Sequence, residues 1–576
     1  MKTKTINHLK HAFLVVLLAC AMPAAAVAPV FNVRDFAAKS DNTTDDGPAI
    51  KQAIQQGIAA GAGAEVFFPK GTYHLTSSVE LQNADGLTLR GETGTLLVMG
   101  NADSAIVNIR DSKHLTIRSL SFDRDPLSFT QGTIDRVDPT GLSCDLTIDP
   151  GYPAPDASWL AEAKQQLHPF IYPESGTYQL DRYAPEIVNR DRTGERKWHF
   201  TLKGSALMPN CAGKRFLIWA AARGHCFVAR GLQDCLIEDV NYWGGGGNAG
   251  LYLKGLSGTN TFRRFVIGVP PGSDRILSCL GGGQISNVRG HLLFEECDFS
   301  KIDDDGLDIL GSWVRVLEQK DGRTVVVQED RDFRVGDHVA LWDWNLKASR
   351  AEAVIVSVSK AADRSVAVSF DRDVLIQRAG AGDGQPFGSA ARVDGIDRLI
   401  NLDSVGEETI IRNCKFQVFR AKCLNLKAKN CLVEGCTFRQ SWQPAISAAP
   451  EWYFQEGPPI RHLIVRNNTF SNINHTNIQV GAAVKESADG APASDSSRDT
   501  VNVVIEDNRF AGYGAHSSVF NNWPPGTAVR VQCTTDVIIR RNDFGDPARG
   551  APKNVEKVRV ENSDNVVLEA DNRHLK

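Results

Sequence analysis

Residues 409–438 contain two copies of one pattern, TIIRNCKF at 409–416 and CLVEGCTF at 431–438. Each copy has an alternating apolar strand, a small residue, any residue and then phenylalanine. Phe416 and Phe438 are therefore 22 residues apart. Such a period is typical of a solenoid in which each repeat forms one coil and packs only on its neighbours.

The same pattern recurs along most of the chain. The further copies are HLTIRSLSF (114–122), HLLFEECDF (291–299), HLIVRNNTF (462–470), NVVIEDNRF (502–510) and DVIIRRNDF (536–544). A strand repeated once per coil predicts an all-β protein, a right-handed parallel β-helix whose phenylalanines stack inside, coil upon coil.

The position two residues before each phenylalanine predicts a second ladder. Asparagine at a turn can bond the backbone and the next asparagine above it. Cysteine at the same position is expected to be a small buried group. The chain has 12 cysteines; if Cys20 is removed or lipidated, the odd remainder argues against complete disulfide pairing. These positions hold Leu120, Cys297, Cys414, Cys436, Asn468, Asn508 and Asn542.

The N-terminus predicts export. Lysines precede the apolar run AFLVVLLACAM, and small residues follow it, so residues 1–26 are expected to be a signal peptide cleaved after Ala26. The alternative is a lipoprotein anchored through Cys20. We expect a periplasmic or extracellular protein with no membrane span. The 64 basic and 68 acidic residues are spread evenly, which does not favour nucleic acid as a partner.

Residues 33–54 predict a helix that covers the open end of the solenoid, with Asp45 and Asp46 as N-cap residues. With AEVFFPKGTYHL at 64–75, this stretch resembles the N-terminal cap of pectate-lyase-like β-helix proteins.

Two stretches without the repeat predict inserted β-rich domains. Residues 136–222 are rich in proline, tyrosine and charge. Residues 314–395 begin with a hairpin whose tip is Asp321-Gly322, which predicts an antiparallel, barrel-like unit. The predicted divisions are 1–26 signal peptide, 27–135 cap and first coils, 136–222 first insert, 223–313 coils with the aspartate cluster, 314–395 second insert and 396–576 C-terminal coils.

The stretch FSKIDDDGLDILGSW at 299–313 is the candidate for an active site. Alternation places Leu307 inward and Asp308 outward. A bend near Gly306 would let Asp304 and Asp305 both reach solvent. Two carboxylates on a rigid face suit glycoside hydrolysis, and crowding raises the pKa of one of them. A solvated acidic turn and a calcium site are the alternatives.

The surroundings of this cluster resemble glycoside hydrolase family 110, the exported α-1,3-galactosidases. The resemblance covers roughly residues 220–312 and 400–545, and it also places Trp452, Glu456 and Gly457 in a family turn. The matching residues around the cluster are Arg275, Leu277, Ser278, Asn287, Arg289, Gly290, Cys297, Phe299, Asp304, Asp305, Gly306 and Gly311.

The chain departs from that family at the catalytic positions. The family carries a third catalytic carboxylate where this chain has Gly281. Asp303 replaces a usual glycine, Asp308 replaces an asparagine and Leu310 replaces a histidine. We expect Asp303 or Asp308 to supply the missing function.

The resemblance implies an exo-acting glycosidase that cleaves α-linked galactose or a related sugar with inversion of configuration. The catalytic candidates are Asp304 and Asp305, then Asp303 and Asp308. No metal and no cofactor are expected, the partner is a carbohydrate, and the oligomeric state stays open. A calcium-dependent polysaccharide lyase and a non-catalytic glycan-binding protein remain alternatives. The substrate-binding candidates are Glu456, Trp452, Arg420, Trp243 and Arg275.

Overall fold

A computed structural model gives the fold of the chain. No helix among the residues it describes is long and apolar enough to cross a membrane. The predicted signal peptide and Cys20 lie outside the described residues. These are 28–158, 167–170 and 185–575, except 205, 208, 220–223, 247, 329–331, 343–348, 362–363, 377–396, 452–453, 455, 482–498, 515–525, 549–550 and 552–554.

The prediction of a right-handed parallel β-helix is confirmed. Each coil passes through three sheets, which we call the ladder sheet, the groove sheet and the back sheet. In a regular coil the chain runs from the back sheet, through the ladder sheet, to the groove sheet. Apolar side chains from all three sheets fill the interior as one continuous core.

The ladder sheet consists of Asp41–Asp45, Thr72–Leu75, Leu96–Met99, Ser121–Arg124, Asn241–Tyr242, Val266–Ile267, Asp298–Ile302, Lys415–Phe419, Thr437–Ser441, Thr469–Ser471, Arg509–Ala511 and Asp543–Phe544. The groove sheet consists of Val79–Gln82, Val107–Lys113, Phe227–Gln233, the first halves of Ala249–Arg263 and Gly281–Glu295, Leu307–Ser312, Leu424–Lys427, Ile446–Ala448, Ile478–Val480, Val529–Gln532 and Val558–Glu561. The back sheet consists of Val30–Asn32, Glu65–Phe68, Thr88–Gly91, Thr116–Arg118, Leu236–Glu238, the second halves of Ala249–Arg263 and Gly281–Glu295, Glu408–Arg412, Asn430–Glu434, Arg461–Arg466, Thr500–Glu506, Thr534–Arg540 and Asp564–Leu568.

The predicted phenylalanine stack runs through the ladder sheet. Phe416 and Phe438 lie 5.0 Å apart with rings 6° from parallel, and Phe438 and Phe470 lie 4.9 Å apart. The stack continues to Phe299 on one side and to Phe510 and Phe544 on the other. Phe122 belongs to the same sheet but pairs in register with Tyr242, so the stack does not reach it as a run of phenylalanines.

The predicted asparagine ladder is confirmed in the last coils. The side-chain oxygen of Asn508 accepts hydrogen bonds from the backbone and side-chain nitrogens of Asn468, both at 3.0 Å. The side-chain oxygen of Asn542 accepts the same two hydrogen bonds from Asn508. At the other end, the backbone nitrogen of Cys436 donates to Asn468. The eleven cysteines of the described residues are all buried and none of them forms a disulfide, as expected of small core groups.

The cap forms, but its aspartates act differently from the prediction. A 3₁₀ turn spans Val33–Phe36, and an α-helix spans Gly47–Ala60 with its apolar face buried. Asp46 occupies the N-cap position without a side-chain cap bond, because its carboxylate accepts from the backbone of Lys39 and Ser40. Asp45 bonds the backbone of Gly47 and Thr76, tying the helix start to the first coils.

Two antiparallel units leave the coils. The first is a six-stranded sheet in spatial order Leu167–Phe170, Arg215–Trp219, Phe129–Val137, Ser143–Ile148, Lys197–Lys203 and Glu186–Arg192, with a 3₁₀ turn at Pro209–Cys211. The second is a closed barrel of Val314–Gln319, Thr324–Gln328, Ser365–Phe370, Ser349–Lys360, His338–Trp342 and Arg398–Asn401. The first sheet thus begins before residue 136. Residue 395, the predicted end of the second insert, lies outside the described residues, and the barrel strand Arg398–Asn401 lies beyond it, within the range predicted as coils.

Truncation of a ring in the middle of the stack tests how much the stack contributes to stability. Phe438→Ala removes contacts to both neighbouring rings in a fully buried position, and we expect it to lower the free energy of unfolding by about 3–5 kcal/mol. Denaturant titration followed by circular dichroism measures the change. Ile464→Ala, at a side chain that is 37% exposed, is the control and is expected to cost about 1 kcal/mol or less. Equal losses in both variants would contradict a structural role for the stack.

Candidate active site

A pocket of about 620 Å³ opens on the outer face of the groove sheet, beside the turns that lead into it from the ladder sheet. Its wall combines two glycines, one phenylalanine and many charged side chains. The lining residues are Asn248, Ala249, Leu280, Gly281, Gly283, Gln284, Asp304, Asp305, Asp308, Arg420, Ala421, Lys422, Gln443, Glu451, Phe454 and Glu456.

Coil stacking fixes the turn that carries the aspartates. The backbone nitrogen of Gly282 donates to Asp305 at 2.9 Å, and that of Gly306 donates to Lys422 at 2.8 Å. A Cβ on Gly306 would lie 2.3 Å from the carbonyl oxygen of Cys423, so only glycine allows this approach. The three aspartates are therefore held by the coils on both sides rather than by a flexible loop.

Asp303 is buried beneath the pocket and does not line it. Its side chain is 2% exposed. One carboxylate oxygen accepts from the indole nitrogen of Trp219 at 3.0 Å, and the other accepts from Arg420 Nε at 3.2 Å. Of the crowded aspartates, Asp303 thus holds Arg420 in place while the other two face the pocket.

Asp304 is the most accessible of the carboxylates, with its side chain 52% exposed. The surrounding walls still withdraw it from water, and this desolvation raises its pKa to about 6. The Arg420 guanidinium, 3.5 Å away, opposes that rise, whereas Asp305 and Asp303 add to it. A carboxyl group that titrates near neutrality and faces a pocket is suited to proton transfer.

Three donors hydrogen-bond the carboxyl group of Asp305. Its carboxylate accepts from the backbone nitrogen of Lys422 at 3.0 Å, from Lys422 Nζ at 3.5 Å and from the Asn425 amide at 3.2 Å. Asp304 and Asp305 are adjacent in sequence but occupy different environments. Such divergence is the usual basis for assigning different roles to two carboxylates.

A single buried ammonium group gathers three further carboxylates. Lys427 is fully buried, and its Nζ lies 2.9 Å from Asp308, 2.7 Å from Glu456 and 3.1 Å from Glu451. Burial disfavours the charged lysine, but the three carboxylates hold its pKa well above the ordinary value. Burial also raises the pKa of Asp308 to about 8, against the attraction of Lys427 and with the repulsion of Glu456.

Glu451 was not recognised in the sequence. It accepts from Lys422 Nζ at 2.6 Å and from the Asn425 amide at 2.7 Å. Burial opposes its ionisation, but Lys427 and Lys422 together lower its pKa. Asn425 and Lys427 were missed too, although they are the outward, polar positions of the strand LNLK and alternation marks them.

Some of the predicted binding residues line the pocket and others do not. Glu456 lines the pocket, and so does Arg420, which is engaged by Asp303 and Asp304. Arg275 instead forms a bidentate pair with Asp123 and bonds the carbonyl of Trp243, away from the lining residues. The remaining candidate, Trp452, lies outside the described residues.

The loop that brings Glu451 and Glu456 to the pocket is pinned to the coil of the aspartates. Glu456 and Gly457 pair antiparallel with Ser312 and Gly311. A Cβ on Gly457 would lie 2.4 Å from the indole ring of Trp313, so glycine is required there. The two glutamates are thus positioned by a short sheet that the repeat pattern does not contain.

Gly281 lines the pocket and carries no carboxylate. A Cβ built there would meet only Ala249, at 3.5 Å, which is ordinary contact. The position therefore has room for a side chain. The pocket's carboxylates beyond the aspartate cluster come instead from Asp308, Glu451 and Glu456, on the other side of Asp305.

A calcium site at Asp303–Asp305 is not supported by the arrangement. Asp303 pairs with Arg420, and Asp305 pairs with Lys422, so cationic side chains already occupy the positions that a metal ion would need. Among the described residues, no group of three or more histidine, cysteine, aspartate or glutamate side chains is arranged to hold a metal.

Residues 30–124 match a family described as rhamnogalacturonase A/epimerase, pectate lyase-like. Alpha-1,3-galactosidase A of Shewanella woodyi is 22% identical over 86% of this chain and 84% of its own length. Alpha-1,3-galactosidase A of Akkermansia muciniphila is 23% identical over 46% of this chain, and the match spans 41% of that relative. A solved family 28 exopolygalacturonase of Yersinia enterocolitica has a TM-score of 0.38 at 11% identity and covers 95% of this chain and 79% of its own.

The matched family and the two relatives named alpha-1,3-galactosidase A confirm the resemblance inferred from the sequence. The chain is similar to α-1,3-galactosidases of glycoside hydrolase family 110 over most of its length, and its first coils are pectate-lyase-like.

The buried Lys427 provides a test of the site's electrostatics. Lys427→Met leaves Asp308, Glu451 and Glu456 without their shared cation, and we expect it to lower the free energy of unfolding by about 3–5 kcal/mol. The loss is expected to be larger at about pH 8 than at about pH 5, because protonation relieves the repulsion at low pH.

Denaturant titration at the two pH values measures this difference. Lys429→Met is the matched control, because Lys429 is 33% exposed and its pair with Asp403 is 3.4 Å long. We expect it to change the free energy of unfolding by about 1 kcal/mol or less at either pH. A loss in Lys427→Met that does not depend on pH would contradict the charge argument.

Proposed function

We propose that the protein is an exported, exo-acting glycosidase that removes α-linked galactose, or a related sugar, from the end of a glycan with inversion of configuration. The observation that carries the proposal is a pocket on the β-helix whose two central carboxylates, Asp304 and Asp305, lie in different electrostatic environments. The relatives named alpha-1,3-galactosidase A support the glycosidase class and the choice of sugar.

The shape of the pocket supports exo action. Asp308 belongs to a row of outward positions that runs along the groove sheet in register. On the C-terminal side this row continues through Asn425, Ser447 and Gln479, which are all 5% exposed or less. On the N-terminal side it continues through Gln284, which is exposed. A pocket closed at one end accepts a chain terminus rather than the middle of a polymer.

The environments of the two aspartates suggest their roles. Asp304, whose pKa lies near neutrality, is proposed to protonate the departing glycosidic oxygen. Asp305, fixed by Lys422 and Asn425, is proposed to activate the water that attacks the anomeric carbon. These hydrogen bonds orient Asp305, which is the acceptor for the proton of the attacking water.

Asp308 is proposed to replace the carboxyl function that is absent at Gly281. It lines the pocket, whereas Asp303 lies beneath it. Since burial raises its pKa to about 8, Asp308 holds a proton at neutral pH and can donate a hydrogen bond to a sugar hydroxyl. Asp303 is assigned the positioning of Arg420.

Substitution of the central pair tests the enzyme class. We expect Asp304→Asn and Asp305→Asn each to lower kcat on an α-1,3-linked galactoside at least about a hundredfold, because each removes a proton-transfer group. Asp373→Asn, at a side chain 72% exposed in the second insert, is the control and is expected to keep full activity. Release of free sugar, with and without chelator, is followed by chromatography.

Two other outcomes of that assay would identify a different kind of protein. Cleavage that needs a divalent cation and gives an unsaturated product absorbing in the ultraviolet would identify a lyase and contradict the proposal. Glycan binding without release of sugar by any of the proteins would identify a binding protein.

The pKa of Asp304 predicts the alkaline side of the pH profile. The acid must be protonated, so kcat/KM is expected to fall as pH rises above about 6. With an aryl galactoside whose leaving group needs no proton, Asp304→Asn is expected to keep much of its activity and to lose this alkaline limb. An unchanged limb in that variant would assign the proton to another group.

The stereochemical outcome is tested by proton NMR of the reaction within its first minutes. Inversion of an α-galactoside gives β-galactose as the first product, before mutarotation. First appearance of α-galactose would require a covalent intermediate and would overturn the role given to Asp305.

A further inference from the structure

The groove sheet continues on the open side of the pocket as two outward rows of side chains. In the first row, Asp308 pairs in register with Gln284, and Gln284 with Tyr252. In the second row, displaced by two residues along the strands, Lys254 pairs with Arg230, and Arg230 with Arg110. Successive coils of a parallel sheet lie about 4.8 Å apart, so both rows extend away from the pocket in steps of that size.

Tyr252 forms an aromatic surface on the strand that begins with Ala249 at the pocket edge. It is half-buried, and its ring packs on that of His225 at 5.0 Å between centroids. His225 Nδ1 accepts the backbone N–H of Ala249, a lining residue, which fixes the imidazole against the pocket edge. Burial lowers the pKa of His225, so the ring is neutral. A fixed aromatic face of this kind suits contact with the apolar face of a sugar.

The second row places like charges directly above one another. Arg110 and Arg230 are exposed neighbours in register, and Lys254 follows on the next coil. Like charges opposed across a sheet repel each other. Within the part of the chain that the structure describes, no ion pair involves Arg110 or Arg230, so their repulsion is not offset there. A ligand with regularly spaced anionic groups would offset it.

The pocket has the opposite charge balance. Five carboxyl groups, those of Asp304, Asp305, Asp308, Glu451 and Glu456, line it with two cations, Arg420 and Lys422, and Lys427 lies beneath. With Asp308 protonated, four carboxylates face these three cations. Each of these cations is already engaged by carboxylates of the pocket. An anionic sugar would therefore be disfavoured in the pocket and favoured beside it.

We propose that the surface formed by Tyr252, Arg110, Arg230 and Lys254 is a binding subsite for the part of the glycan that follows the terminal sugar, and that this part carries sulfate or carboxylate groups. The terminal sugar in the pocket is neutral. The inference rests on the proposed function only in taking the pocket as the place where the glycan ends.

The test measures binding separately from turnover. We expect the protein, in its Asp304→Asn form so that no ligand is consumed, to bind short sulfated galactan oligosaccharides more tightly than the same oligosaccharides after desulfation. Arg110→Gln/Arg230→Gln in that background is expected to weaken binding of the sulfated ligand about tenfold and to leave the desulfated ligand unchanged. The affinity for the sulfated ligand should also fall with added salt. Isothermal titration calorimetry gives the dissociation constants.

The matched control is Arg439→Gln/Arg509→Gln, which removes two exposed arginines from the ladder sheet and makes the same change in net charge. We expect it to leave both affinities unchanged. If both double variants weaken binding equally, general charge attraction is responsible and the subsite is overturned. Equal binding of sulfated and desulfated ligands by the parent protein would overturn it as well.

Tyr252 gives a second, uncharged readout. Tyr252→Ala is expected to weaken sulfated and desulfated oligosaccharides alike, whereas Tyr252→Phe keeps the aromatic face and the affinity. In the active protein, Arg110→Gln/Arg230→Gln should raise KM for the sulfated oligosaccharide without changing kcat/KM for a small aryl galactoside. If the double variant loses activity on the aryl galactoside as well as on the sulfated oligosaccharide, the arginines belong to the catalytic machinery and the subsite is overturned. If no galactoside is cleaved but the binding differences hold, the proposed function fails and the subsite stands.

Discussion

The register between successive coils is the constraint on which the rest of this structure depends. Backbone hydrogen bonds place Leu307 over Leu424 and Asp308 over Asn425, and the stacked phenylalanines hold the same register from inside. A slip of one residue would turn every outward side chain of a strand into the core. The pocket and the charged rows beside it exist because outward positions of many coils fall into line.

Crowding of carboxylates is tolerated because lysines are buried with them. Asp305 and Glu451 share Lys422, whereas Asp308, Glu451 and Glu456 share Lys427. A buried charge without a partner is strongly unfavourable, so these lysines belong to the site as much as the acids do. Asp304, the most exposed of the pocket's carboxyl groups, is left with a pKa of about 6.

The sequence predicted the framework of the fold because it repeats. The phenylalanine stack, the asparagine ladder, the buried cysteines and the hairpin tip at Asp321-Gly322 follow from local patterns that each coil presents again. Asp46 lies at the predicted N-cap position, but its side chain makes no cap hydrogen bond, because the backbone nitrogens of Lys39 and Ser40 donate to its carboxylate. Local helix signals do not report such long-range donors.

Local sequence patterns predicted only part of the candidate site. Alternation along the strand correctly placed Leu307 inward and Asp308 outward. It could not show that Asp303 lies beneath Arg420, or that Arg275 binds Asp123 from a distant coil. Glu451 reaches the pocket through a loop pinned by an antiparallel pairing, and no periodic signal marks that loop.

By itself, then, the sequence determined the β-helix, the order of its coils and the strand face that carries Asp308, because these depend on period and alternation. The tertiary structure alone decided which charges meet: the sharing of Lys427 by three carboxylates, the burial of Asp303, and the alignment of Arg110, Arg230 and Lys254 beside the pocket. These contacts join residues from different coils and from the loops between them. Their energies depend on distance and burial, which only the assembled coils define.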